Sequence, residues 1–196
     1  KRSSGRIPRE SGSEMLIEAA IKLARGLPVS KVTVRDIASE AGLQTMHVKR
    51  YFESRNGLLV EVSNRLMQQI VTGIADRPLD KMWPYLRDNP DVELRLRIVS
   101  HLLDEGVPAK AFQNDRSTYM RIADRIATVN NVGTRTARAY ALVIQLVLQG
   151  NRLMGEANGL TSKDRQDIFS LLATLGAGLP AADRKSTRLN SSHIPL

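Results

Sequence analysis

Residues 32–52 read VTVRDIASEAGLQTMHVKRYF, and the spacing inside this stretch decides the fold. Thr33-Val34-Arg35-Asp36 has the form of a capping box with Asp in place of Glu, so a helix is expected from there to about Ala41. Gly42 follows, the residue type that takes a left-handed backbone without steric cost, and a new helical pattern runs from near Gln44 to near Phe52. Two short helices joined by a tight glycine turn make a helix-turn-helix. Ile37 and Ala38 fall where the first helix must pack, the small Ala38 permits a close crossing, and Leu43 and Val48 fill the wedge between the two.

The flanks extend the same pattern. Upstream, Leu16, Ala19, Ala20, Leu23 and Leu27 recur at helical spacing behind Ser13, a candidate cap, until Pro28 breaks the run. Downstream, Ser54-Arg55-Asn56-Gly57 restarts the chain into a long amphipathic helix carrying Leu58, Val62, Leu66, Ile70 and Ile74. Further helices are expected over Val92–Leu103, with Leu94, Ile98, Val99, Leu102 and Leu103 on one face, and over Ser117–Val129. Trp83 falls in a break between helices beside Pro84. Thr136–Met154 is apolar around most of its circumference and must be covered on two sides. Thr161-Ser162-Lys163-Asp164 offers a fresh N-cap for a last helix with Ile168, Leu171, Leu172, Leu175 and Leu179 in one stripe. The fold class expected is all-α: an N-terminal three-helix helix-turn-helix domain over 13–57 and a C-terminal helical domain over 58–182.

Composition narrows the function. Cysteine is absent and the three histidines (His47, His101, His193) are scattered, so no disulfide, metal site or other cofactor is expected. The longest nearly apolar run, Ala139–Leu148, is half the roughly 20 residues that cross a bilayer, so no membrane partner and a cytoplasmic location are expected. Of the net charge of +9, most sits in the first quarter: residues 1–56 hold 11 Lys/Arg against 6 Asp/Glu, residues 57–182 hold 15 against 13. A basic head on a nearly neutral body suits phosphate contacts. Residues 1–12 read as a basic disordered arm. Residues 183–196 are set aside as a non-native tail, because DRKSTRLNSSH resembles the translation of a sequencing-adapter oligonucleotide.

Three blocks together, Leu16-Ile-Glu-Ala-Ala, residues 32–43 and Tyr51-Phe-Glu-Ser-Arg-Asn-Gly-Leu-Leu, resemble the N-terminal domain of the TetR family of transcriptional regulators over about residues 13–65. The resemblance implies an all-helical fold in which 58–182 is the ligand-binding and dimerisation domain, and a twofold dimer that releases or captures DNA when a ligand binds. It places Thr33 and Arg35 at the phosphate-facing start of the first reading helix, Gln44, Thr45, Met46, His47 and Lys49 on the groove face of the second, and Tyr51 and Arg55 against the backbone. Gln44, Met46 and Lys49 depart from the residues frequent at those places, so the operator is the chain's own. Independently of the family, Gln44, His47, Lys49 and Arg50 are side chains able to donate or accept along base edges within two turns, and Lys49 or Arg50 suits guanine.

The partners expected are a double-stranded palindromic DNA operator, a small-molecule effector and a second copy of the chain. Effector-lining candidates are Trp83, Phe112, Tyr119 and Met120, among helices between Met82 and Met154. The dimer interface is expected over residues 136–180, through Tyr140, Ile144, Leu148, Ile168, Leu172 and Leu175. The reading is a ligand-responsive regulator, expected to repress and not to be an enzyme. No nucleophile or phosphate-loop motif supports an enzyme, and Asp104 and Glu105 near His101 lie at a helix end where solvated charges are usual. A helical small-molecule carrier without DNA function is the other alternative, and the basic head argues against it.

Overall fold

The computed structural model describes residues 8–75, 77, 79–155 and 157–179. Among these there are nine α-helices and no β-strand: α1 (Arg9–Gly26), α2 (Val34–Glu40), α3 (Thr45–Phe52), α4 (Arg55–Ala75), α5 (Leu79–Asp88), α6 (Pro90–Asp104), α7 (Arg116–Asn130), α8 (Thr134–Met154) and α9 (Ser162–Ala177), with short 3-10 turns at Val29–Lys31 and Ala109–Asp115. The tail over 183–196 and the first seven residues of the arm lie outside the described residues.

The chain divides into two compact units, residues 1–70 with 89–115, and residues 71–88 with 116–196. The first therefore takes in α6 and most of α4, beyond the 13–57 head drawn from the sequence. Its core joins Leu16, Ala20, Ile21 and Ala24 of α1, Ile37 of α2 and Val48 of α3 to Leu58, Leu59, Val62 and Leu66 of α4 and Leu94, Ile98 and Leu102 of α6. Helix α1 begins at Arg9, four residues before the expected Ser13. Ser13 donates its hydroxyl to the Glu10 carbonyl within the helix instead of capping it. Arg9–Gly12, placed with the arm by composition, are thus helical, and Gly12 is buried.

Charged side chains stitch this unit together. Arg65 of α4 holds Glu14 of α1 through its two terminal guanidinium nitrogens, Nη1 and Nη2, the second at 2.6 Å. That hydrogen-bonded partner keeps the Glu14 carboxyl below the usual carboxylate range. Lys22 pairs with Glu40 at 2.5 Å, tying α1 to α2, and Arg25 pairs with Asp91 at 2.6 Å, tying α1 to α6. Arg97 of α6 donates to the carbonyls of Ala24 and Leu27 at 3.0 and 2.8 Å, satisfying the open end of α1 with a cation where the helix dipole favours one.

In the second unit the expected N-cap of the last helix forms: Thr161 and Asp164 make a complete capping box. Trp83 and Pro84 lie inside α5, not in a break. Proline removes one helical hydrogen bond but does not forbid a helix, so a Trp-Pro pair is a weak stop signal. Helix α8 buries Ala137, Tyr140, Ala141 and Ile144 and leaves Leu142, Val143 and Leu146 exposed. Helix α9 buries Phe169, Leu172 and Gly176 and leaves Leu171 and Leu175 exposed. Among the described residues, no helix is long and apolar enough to cross a membrane.

Candidate nucleic-acid interface

The interface is built on how α2 ends and α3 begins. The Thr33 hydroxyl accepts the Asp36 N–H at 3.2 Å and donates to the Asp36 carboxylate at 2.6 Å, which in turn accepts the Thr33 N–H at 3.3 Å. These bonds lower the Asp36 pKa, so the carboxylate stays charged at the N-terminus of α2. At the other end Gly42 stands at φ +66° and the Leu43 N–H reaches back to the Ala38 carbonyl at 2.8 Å, closing the turn. An alanine there would be strained by its own backbone.

Helix α3 then starts at Thr45, behind Gln44 at the N-cap, whose side chain makes no cap hydrogen bond. Val48 is its one buried residue, while Gln44, Thr45, Met46, Lys49 and Arg50 are exposed and His47 is half-buried. The turn delivers these side chains outward together. His47 is steadied by Nδ1 lying 3.1 Å from the Gln44 carbonyl and by its ring lying 5.7 Å from that of Tyr51. Arg35 and Thr33 are exposed at the start of α2, with Thr33 committed to its capping box.

Tyr51 closes the helix against α1. Its ring packs over Gly12, where a Cβ would come within 3.0 Å of Cε2 and 3.1 Å of the hydroxyl oxygen. It meets Phe52 edge-on at 6.3 Å, and the Arg50 guanidinium lies 5.9 Å from its centroid. The tyrosine is half-buried, fixed at the ring.

Arg55 departs from its expected place against the DNA backbone. Its Nε donates to the Val32 carbonyl at 2.7 Å, its Nη2 to the Val29 carbonyl, and its Nη1 lies 3.3 Å from His101 Nε2 and 3.5 Å from the Glu105 carboxylate. The side chain is 19% exposed. The guanidinium is spent inside the protein, joining the start of α4 to the turn before α2 and to the end of α6. His101 and Glu105, 3.1 Å apart, belong to the same internal network.

The effector candidates are not gathered in one unit. Phe112 packs against the core of the first, whereas Trp83, Tyr119 and Met120 belong to the second. Met120 is half-buried, and the side chains of Trp83 and Tyr119 lie outside the described residues. An open groove of about 460 Å³ lies elsewhere, along α1 and α2 between Met15, Glu18, Lys22 and Glu40.

The interface candidates are corrected by helical phase. Tyr140, Ile144 and Leu172 are buried within the protomer, and Leu148 and Ile168 are half-buried; of the six, Leu175 is exposed. The Tyr140 hydroxyl donates to the Leu172 carbonyl, which binds α8 to α9. Among the described residues of α8 and α9, the large apolar side chains left exposed are Leu142, Val143, Leu146, Leu171 and Leu175.

Residues 16–62 match the family described as bacterial regulatory proteins, tetR family. An uncharacterised HTH-type transcriptional regulator of Xanthobacter autotrophicus is 27% identical over 119 residues, which span 60% of this chain and 56% of that protein. Two solved structures share the fold: a transcriptional regulator from Rhodococcus sp. Rha1, with TM-score 0.63, 14% identity, and 86% of this chain and 99% of that one covered. The other is the multidrug binding protein EbrR complexed with imidazole, with TM-score 0.60, 17% identity, and coverage of 86% and 96%.

Proposed function

We propose that this chain, which belongs by its N-terminal domain to the tetR family of bacterial regulatory proteins, is a sequence-specific DNA-binding transcriptional regulator. It acts as a homodimer on a palindromic double-stranded operator, represses from it, and changes its grip on DNA when a small-molecule effector binds. The observation that carries the reading is the outward face of α3. After a capped helix and a glycine turn, Gln44, Thr45, Met46, Lys49 and Arg50 are all exposed on a helix with no carboxylate, the chemistry that major-groove edges and flanking phosphates require. Arg35 and Thr33 stand at the start of α2, the position from which phosphates are reached in this kind of docking.

The dimer is supported by helical geometry. At about 100° per residue, Leu142 and Leu146 lie on the side of α8 opposite Tyr140 and Ile144 and Val143 flanks them, so the helix has one side covered within the chain and another that needs a partner. A palindrome requires twofold pairing, and exposed leucines on α8 and α9 suit a self-complementary surface. Sensing of an effector by the helices after α4 is supported by the imidazole-bound multidrug binding protein of the same fold.

The test is selection of bound sequences from a random duplex pool by the full chain, followed by binding isotherms across a salt series on selected and scrambled DNA. The expected result is an enriched inverted repeat bound about 10³-fold or more tighter than scrambled DNA. A chain that enriches nothing and shows no salt-dependent binding is not a DNA-binding regulator.

A further inference from the structure

Helix α3 places its side chains around a single buried residue, Val48, which is 1% exposed. At about 100° per residue, Met46 and Arg50 sit about 160° and 200° from Val48 around the axis, while Lys49 and His47 lie about 100° to either side and Thr45 about 60° away. The ridge farthest from the core is therefore Met46 and Arg50, four residues apart, and not Lys49 and His47. Met46 is 61% exposed on a helix whose other outward residues are polar. Its thioether has no hydrogen bond to give a base edge. What it can offer is a flexible, polarisable apolar surface, and the one apolar feature on the floor of the major groove is the C5-methyl of thymine. Arg50, beside it on the ridge, carries the fork that matches guanine O6 and N7.

We propose that Met46 reads a thymine methyl and Arg50 a guanine in each half-site. Four residues of helix rise about 6 Å, so the two bases lie within about two base-pair steps of each other. The assignment rests on the DNA-binding function proposed above and specifies the chemistry of that same face. Lys49 and His47, on the flanks of the helix, face the groove walls and add affinity more than discrimination.

The experiment uses the full-length chain and the duplex it selects from a random pool. Each thymine of the half-site is replaced singly by deoxyuridine, which deletes the methyl and nothing else, and each guanine by 7-deazaguanine, which deletes N7. One thymine per half-site should show a penalty of about fourfold, the worth of one buried methyl. That penalty should vanish in Met46→Ala and in Met46→Gln, with circular dichroism unchanged. One guanine should lose its 7-deaza penalty in Arg50→Ala. If deoxyuridine costs wild type nothing at every position, or costs the two Met46 variants as much as wild type, Met46 is not a methyl reader while the regulator stands. If the pool yields no enriched sequence, the regulator and this assignment fall together.

Discussion

Helix α3 and the α8–α9 pair both turn exposed side chains away from their own cores, and the two faces are opposite in chemistry. On α3 the exposed residues are Gln, Thr, Lys and Arg around a lone methionine; on α8 and α9 they are Leu142, Val143, Leu146, Leu171 and Leu175, with Leu146 65% exposed. A face of the first kind gains by meeting a hydrogen-bonding polyanion and loses that gain as salt rises. A face of the second kind gains by leaving water, and salt barely weakens it. A single salt series, read once as DNA binding and once as self-association, therefore separates the two, because the first should fall and the second should hold.

The largest effect is expected where the faces depend on each other. Leu146→Glu with Leu175→Glu puts charges into the apolar face without touching the buried Tyr140, Ile144 or Leu172. The double variant should sediment as a monomer at micromolar concentration and lose about 10² or more of its operator affinity, because half-sites joined in one dimer gain by effective concentration. Binding to scrambled DNA should change little. A double variant that remains dimeric places the interface elsewhere on the chain.

The head was legible in the sequence because its determinants are local. Thr33 and Asp36 are three residues apart, Gly42 acts on its own φ, and the four-residue spacing of Leu58 to Ile74 is confirmed by burial at every position. What escaped depends on distant partners. The commitment of Arg55 to Val29 and Val32, and of Arg97 to the end of α1 some 70 residues away, leaves no local trace, since an arginine beside a DNA-reading helix looks the same whether it faces phosphate or carbonyl. The phase of α8 and α9 is hidden for a related reason. With leucines on both sides of α8, periodicity cannot say which side its own chain covers. Phe169 of α9 is buried although it stands outside the stripe of Ile168, Leu171, Leu172, Leu175 and Leu179.

A second prediction sharpens the division between residues that hold the head and residues that meet DNA. Arg55→Ala removes charge-assisted bonds to two backbone carbonyls and should cost about 2–4 kcal/mol of stability, seen as a lower denaturant midpoint. Its salt dependence of DNA binding should match wild type once the folded fraction is allowed for. Arg35→Ala, on an exposed side chain, should shift stability by about 0.5 kcal/mol or less while reducing the salt slope by about one unit. The reverse pattern, a stable Arg55→Ala with a flattened slope, would return Arg55 to the phosphate contacts.

The smallest effect tests how the second unit is held. In the first unit α1, α4 and α6 share an apolar core and are joined as well by the guanidinium groups of Arg25, Arg55, Arg65 and Arg97. In the second unit, α8 meets α9 through Tyr140, whose hydroxyl donates to Leu172 and whose ring closes on Gly176, where a Cβ would stand 2.9 Å from Cζ. Burial pushes the phenol up to about 12 from its ordinary value near 10. The folded protein thus keeps a proton that the unfolded chain gives up, so this contribution is complete below about pH 10 and is lost as pH rises toward 12. Tyr140→Phe should cost about 1 kcal/mol at neutral pH, the worth of one hydrogen bond, and should fall less steeply than wild type between pH 10 and 12. The difference between the two proteins isolates Tyr140 from the other three tyrosines. Parallel stability curves across that range would mean that the phenol ionises in the folded state as readily as in the unfolded one, and that the α8–α9 contact does not depend on its proton.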